Sequence, residues 1–201
     1  VTVRCTLVIP DAGPLNSLWL ADSLPLLLRL NMPIVVLDAI YDEVGGEPRR
    51  YAKDRDVKAF LDLHSGGAIT VETTFVGQQA RHARARGEFV PGKGMGDAAI
   101  AEFMATGVER YIADDATVLL LFEDADFRNV HFLNRPDNLH LLSTVAMLRG
   151  LEEVGVIASA DAVLQAMLHP ADPERRRYAR ALTDLPEGTD LPAPLGSTWK
   201  P

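Results

Sequence analysis

A chain of 201 residues, 47% apolar and 24% charged, can bury one sizeable core, or one domain of about 150 residues with an appendage. Its formal charge of −8 argues against a basic surface that wraps nucleic acid, and its single cysteine, Cys5, excludes an intrachain disulfide and Cys-based zinc sites. No apolar stretch reaches the roughly 18 residues of a membrane span and the start carries no export signal, so a cytoplasmic protein is expected.

The chain opens on an apolar run from Val3 to Ile9. Its β-branched Val3, Thr6, Val8 and Ile9 favour a pleated backbone, and the bounding Pro10 and Gly13-Pro14 mark a strand buried on both faces. The next predicted elements are short helices over Leu15 to Leu20 and Leu24 to Leu30, a strand over Ile34 to Leu37, and a helix capped by Asp38 that carries Glu43. An amphipathic helix from about Arg50 to Leu63 leads through Gly66-Gly67 to a strand over Ala68 to Thr73. A basic helix, Val76 to Arg86, precedes a glycine-rich loop from Gly87 to Gly96. Asp97 then opens a helix to Thr106. Arg110 to Ala113 reads as a fourth strand ending at Asp114-Asp115, Thr117 to Phe122 as a helix, and Val130 to Leu133 as a fifth strand. Helices over Leu141 to Val154 and Ala160 to Leu168 close the series.

Five strands separated by helical segments imply one α/β domain, residues 1–169, with helices on both faces of a central, mostly parallel sheet. Residues 170–201 form an extension of different character, with Arg175, Arg176, Arg177 and Arg180 on a helix and then Pro186, Pro192, Pro194 and Pro201. That composition cannot build a core of its own.

Charge is segregated along the chain. From Asp97 to Asp126 eight acids stand against one base, Arg110, whereas Arg81, Arg84, Arg86 and Lys93 stand against Glu88. The basic stretch, or Arg49, Arg50 and Lys53, is a candidate for holding the phosphates of an RNA. Four acids occupy comparable places: Asp11 after the first strand, Glu43 on the helix after the second, Asp97 at a helix start, and Asp114 or Asp115 after the fourth strand. Parallel topology brings strand ends and following helix starts to one edge of the sheet. Carboxylates gathered there take up protons unless a cation neutralises them, and oxygen ligands without Cys or paired His point to magnesium or manganese. Taken singly, each acid also reads as a helix cap, a turn or a surface residue.

The segments Ile9-Pro-Asp-Ala-Gly-Pro-Leu15, Val35-Val-Leu-Asp-Ala-Ile-Tyr-Asp-Glu43-Val44, Gly96-Asp-Ala-Ala-Ile-Ala-Glu102 and Tyr111-Ile-Ala-Asp-Asp115, with the closing Leu141 to Ile157, resemble PIN-domain nucleases in order and spacing. The resemblance spans residues 3–168 and implies a three-layer α/β/α fold. It also implies a magnesium- or manganese-dependent ribonuclease, commonly the toxin of a bacterial type II toxin–antitoxin pair, with an antitoxin protein as partner and a homodimer as its assembly. Carried over by position, Asp11, Asp97 and Asp115 are the metal-binding acids and Glu43 the fourth member of the set, with Asp114 beside them. The family often has Ser or Thr within two residues of the first acid. This chain has Ala12 and Gly13, leaving Asn16 or Ser17 to supply a polar group from the next helical turn. Two other readings remain at this stage: a catalytically silent PIN-like interaction module, and a phosphatase or phosphoacceptor domain with Asp11 as nucleophile, whose usual second acid two residues on is replaced by Gly13.

Overall fold

The structure, a computed structural model, describes residues 5–91, 94–112, 116–123, 138–180 and 185. Strand β1 (Cys5–Pro10) lies at the centre of a five-stranded sheet, with β2 (Ile34–Leu37) and β3 (Ile69–Glu72) on one side and β4 (Thr117–Phe122) and β5 (Leu139–Ser143) on the other. Every pairing is parallel, and the strand order is β3-β2-β1-β4-β5. Helices cover the sheet as a three-layer α/β/α sandwich, as the alternation of strand and helix in the sequence requires. Continuous apolar strands belong in such a sheet because both faces are covered: Leu7, Val8 and Ile9 are fully buried, as are Leu119, Leu120 and Leu121.

The helices are α1 (Ala12–Leu20), α2 (Asp38–Val44), α3 (Ala52–His64), α4 (Phe75–Ala85), α5 (Met95–Thr106), α6 (Thr144–Glu153) and α7 (Ala160–Leu168). Helix α1 packs on α2, α3 and α7, and α5 packs on α2, α4 and β2. Among the described residues no helix is long and apolar enough to cross a membrane.

Several local expectations change. Leu24–Leu30 is a 3-10 helix that ends on Asn31 in the left-handed region at φ 54°, and the early Pro25 suits its first turn. Val108–Arg110 is a 3-10 turn in place of the expected strand, whereas Thr117–Phe122, expected as a helix, is β4. The helix expected from Leu141 starts only at Thr144, because Leu139–Ser143 extends the sheet as β5 and the Ser143 hydroxyl accepts a hydrogen bond from the Ala146 N–H at 3.1 Å. The strand expected at Val130 to Leu133 lies outside the described residues. In the extension, the described part forms a single 3-10 turn, Arg175–Tyr178, packed against α1, and Leu185 is buried in the core.

The strand order reverses between β1 and β4, since the chain runs outward from β1 to β3 on one side before β4 pairs on the other. In an open parallel sheet the carboxyl ends at such a point flank the crevice where ligands bind. Asp11 and Glu123 follow directly on these two strands, and the Asp11 N–H donates to the Leu121 carbonyl at 3.0 Å.

Candidate active site

Asp11 occupies the N-cap of α1 with extended dihedrals, φ −76° and ψ 173°, yet its side chain makes no capping hydrogen bond. The turn explanation for this acid therefore lacks the bond that would define it. Its carboxyl is pushed up to about 7, first by burial and then by the negative charges of Glu43, Asp97 and Glu123, with the Ala12 N–H opposing in part. Three other elements thus send carboxylates toward the end of β1.

Helix α2 supplies Glu43 from an exposed position on the rim. Desolvation of its carboxyl and the charge of Asp97 raise its pKa, while Lys53 of α3 opposes. Asp97 lies in the first turn of α5, which begins at Met95, two residues earlier than the sequence suggested. Gly96 marks how close α5 comes. A Cβ there would stand in van der Waals contact, 3.4 Å from Asp11 Oδ1 and from Ile40 Cγ1, and 3.7 Å from Glu43 Oε2. The first turn of α5 thus lies over the carboxylates, and the amino end of a helix favours negative charge beside it.

Glu123 is the member that sequence reasoning missed. It is 6% exposed at the end of β4, and burial raises its pKa while the hydroxyls of Thr144 and Ser17 and the guanidinium of Arg180 pull it down. Ser17 Oγ donates to Glu123 Oε2 at 2.7 Å, and Arg180 Nη2 donates to the same oxygen at 3.3 Å. Gly13 makes this approach possible, since a Cβ at that position would come within 2.9 Å of Glu123 Cβ. The space that a Ser or Thr side chain at position 13 would need is filled by Glu123, and the hydroxyl one turn on, Ser17, serves it. A usable signal was present: five apolar residues from Val118 to Phe122 run directly into the acids Glu123-Asp124.

Asp114 and Asp115 lie outside the described residues, as does Lys93. The other members of the basic stretch, Arg81, Arg84 and Arg86, are engaged within the fold. Arg81 forks onto Asp42 at 2.7 and 3.0 Å and reaches Asp38 Oδ2 at 3.2 Å, Arg84 meets Asp42 at 3.5 Å, and Arg86 forks onto Glu88 at 2.6 and 2.8 Å. Asp38, expected to cap α2, instead accepts from the Thr74 N–H and hydroxyl at 3.0 and 2.7 Å, tying α2 to the start of α4. Asn16 lines a cleft between α1, α3 and the extension.

The donor set around Asp11 is wholly oxygen and acidic, which suits a hard divalent cation such as magnesium or manganese. Among the described residues no three His, Cys, Asp or Glu side chains are drawn together closely enough to hold a metal ion. Comparison of the chain with family models, with curated proteins and with solved structures finds no match.

Proposed function

We propose that the protein is a metal-dependent endoribonuclease of the PIN-domain kind, a toxin of a toxin–antitoxin pair that works as a homodimer with a small antitoxin partner. The observation that carries this reading is the gathering of carboxylates at the point where the strand order reverses: Asp11 is pushed up to about 7 by burial, Glu43, Asp97 and Glu123. Such a set is costly in water-poor surroundings and is relieved by a divalent cation. Asp11 and Asp97 would hold it, with Asp115 as the third acid by family position and Glu43 at the open rim. When bound, magnesium or manganese supplies an activated water and offsets the charge that develops on a phosphoryl oxygen. Glu43, exposed at the rim and within the electrostatic reach of Lys53, would accept a hydrogen bond from the attacking water. The first turn of α5 favours the negative charge gathered beneath it. The products expected from the resemblance are a 5′-phosphate and a 3′-hydroxyl.

A silent PIN-like interaction module is favoured by one observation, the lack of a three-residue metal group among the described side chains. Incubation of total RNA with the purified chain and manganese or magnesium decides between the two. Cleavage that disappears with EDTA and in Asp97→Asn supports the nuclease. RNA left intact under both metals by folded protein without a partner supports the silent module.

A further inference from the structure

Beside the acids, α1, α3 and the extension border an open cleft of about 330 Å³ lined by Asn16, Trp19, Lys53, Tyr178 and Arg180. That volume lies within the range of small-molecule sites. It adjoins the candidate active site on two sides, because Lys53 acts electrostatically on Glu43 and Arg180 bonds Glu123. Asn16 follows Asp11 by five residues on the same helix, about 7 Å along its axis.

The lining specifies its ligand. Lys53 and Arg180, with side chains only 22% and 29% exposed, each already meet one carboxylate, Asp54 at 3.4 Å and Glu123 at 3.3 Å, and each keeps further N–H donors for an anion in the cleft, where water screens poorly. Arg180 meets Glu123 through Nη2, and a guanidinium has five N–H donors, which leaves capacity for a phosphate. Asn16 Oδ1 is buried with no hydrogen-bond partner. Inorganic phosphate could reach that acceptor only through its own O–H, whereas a nucleotide offers base and ribose donors as well. The Tyr178 ring, half-buried and set edge-on to Trp19 at 5.6 Å, adds an aromatic wall. A ligand that satisfies all of these carries a phosphate, an N–H or O–H donor and a flat ring.

We propose that this cleft is a nucleotide subsite, taking the phosphate of one nucleotide on Lys53 and Arg180, its base or ribose donor on Asn16 Oδ1, and its base along Tyr178. As the place for the nucleotide next to the bond cut, it rests on the nuclease reading; as a nucleotide site, it does not.

Trp19 borders the cleft, and the only other tryptophan is Trp199. The full chain carrying Trp199→Phe can therefore be titrated with adenosine 5′-monophosphate in EDTA, following Trp19 fluorescence, beside arms with inorganic phosphate and with adenosine alone. The nucleotide is expected to bind more tightly than either fragment, and Lys53→Ala to weaken it by about tenfold or more, the loss of one charge-assisted contact. Asn16→Leu tests the second contact independently. Phosphate that matches the nucleotide, or Lys53→Ala and Asn16→Leu both binding like the parent, overturns the proposal. RNA cleavage separates the two readings: Lys53-dependent nucleotide binding without metal-dependent cleavage keeps the subsite and removes the nuclease, and cleavage with no nucleotide signal does the reverse.

Discussion

Asp11 makes the electrostatics of the site testable in the metal-free protein. Its carboxyl titrates near 7 in the folded chain against 3.8 for an ordinary aspartate. Below the lower value both states are protonated and nothing changes. Between the two values the folded state holds a proton that the unfolded state has released, so stability falls as pH rises, and the loss is complete above about 7. Glu43 and Glu123, both raised, act with the same sign. Denaturant unfolding in EDTA is therefore expected to show a decline of a few kcal/mol between pH 5 and 8, much reduced in Asp11→Asn. Stability that rises over this interval would contradict the arrangement. Asp11 and Asp97 could be read as neighbours from the sequence because one follows a strand and the other lies in the first turn of a helix, and parallel topology fixes where such positions meet, whereas Glu43, near the end of α2, needed the fold to place it. Glu123 was not legible, because Thr117 to Phe122 reads as a helix, so the acid that follows it was not recognised as standing at a strand end. The pairing of Arg81 with Asp38 and Asp42 was hidden for another reason: spacing along a helix shows a basic face but not what crosses from another element to meet it.

At the scale of elements, α4 is attached by its first turn. Thr74 caps it, accepting from the Gly77 N–H at 2.9 Å while donating to Asp38, and the Glu102 carboxylate of α5 accepts from the Phe75 and Val76 N–H groups at 2.6 and 2.9 Å. This leaves no space over Gly77, where a Cβ would lie 2.1 Å from Asp38 Oδ1. Gly77→Ala would ordinarily favour a helix, but here it is expected to cost about 3 kcal/mol, because Asp38 is fully buried and also held by Arg81. Thermal unfolding of Gly77→Ala in the parent and in an Asp38→Ala background measures the clash, and an equal cost in both would refute it. The elements that the sequence disclosed have punctuation at both ends, such as β2 between Pro33 and Asp38. Strand β4 lacks it: six consecutive buried residues satisfy both the strand and the helix period, so the pattern does not choose between them. Strand β5 was absorbed into α6 because its leucines continue those of the helix, although Ser143, the N-cap, marks the boundary.

On the scale of the whole molecule, the extension completes the domain. Its composition cannot form a core, and its first turn instead lies on α1: Arg175 sits 5.2 Å from the Trp19 ring centre and 2.8 Å from Asp22, Tyr178 meets Trp19 edge-on, and Arg180 reaches Glu123. The exposed Asp22 pair contributes little in water. The Glu123 pair matters more, because removal of its cation leaves a buried carboxylate hydrogen-bonded by the Ser17 hydroxyl. Trp19, now 2% exposed, would lose the cover of Arg175 and Tyr178 at the same time. Truncation after His169 is therefore expected to cost about 3 kcal/mol and to shift Trp19 emission to longer wavelength, read against full-length chain carrying Trp199→Phe. Part of that loss should follow the charge on Glu123, so Glu123→Gln in the truncated chain is expected to recover stability, whereas in the full chain it strands Arg180 without its partner. A truncated chain as stable as the full one, with unchanged Trp19 emission, would make the extension a passive appendage and leave the acidic edge complete without it.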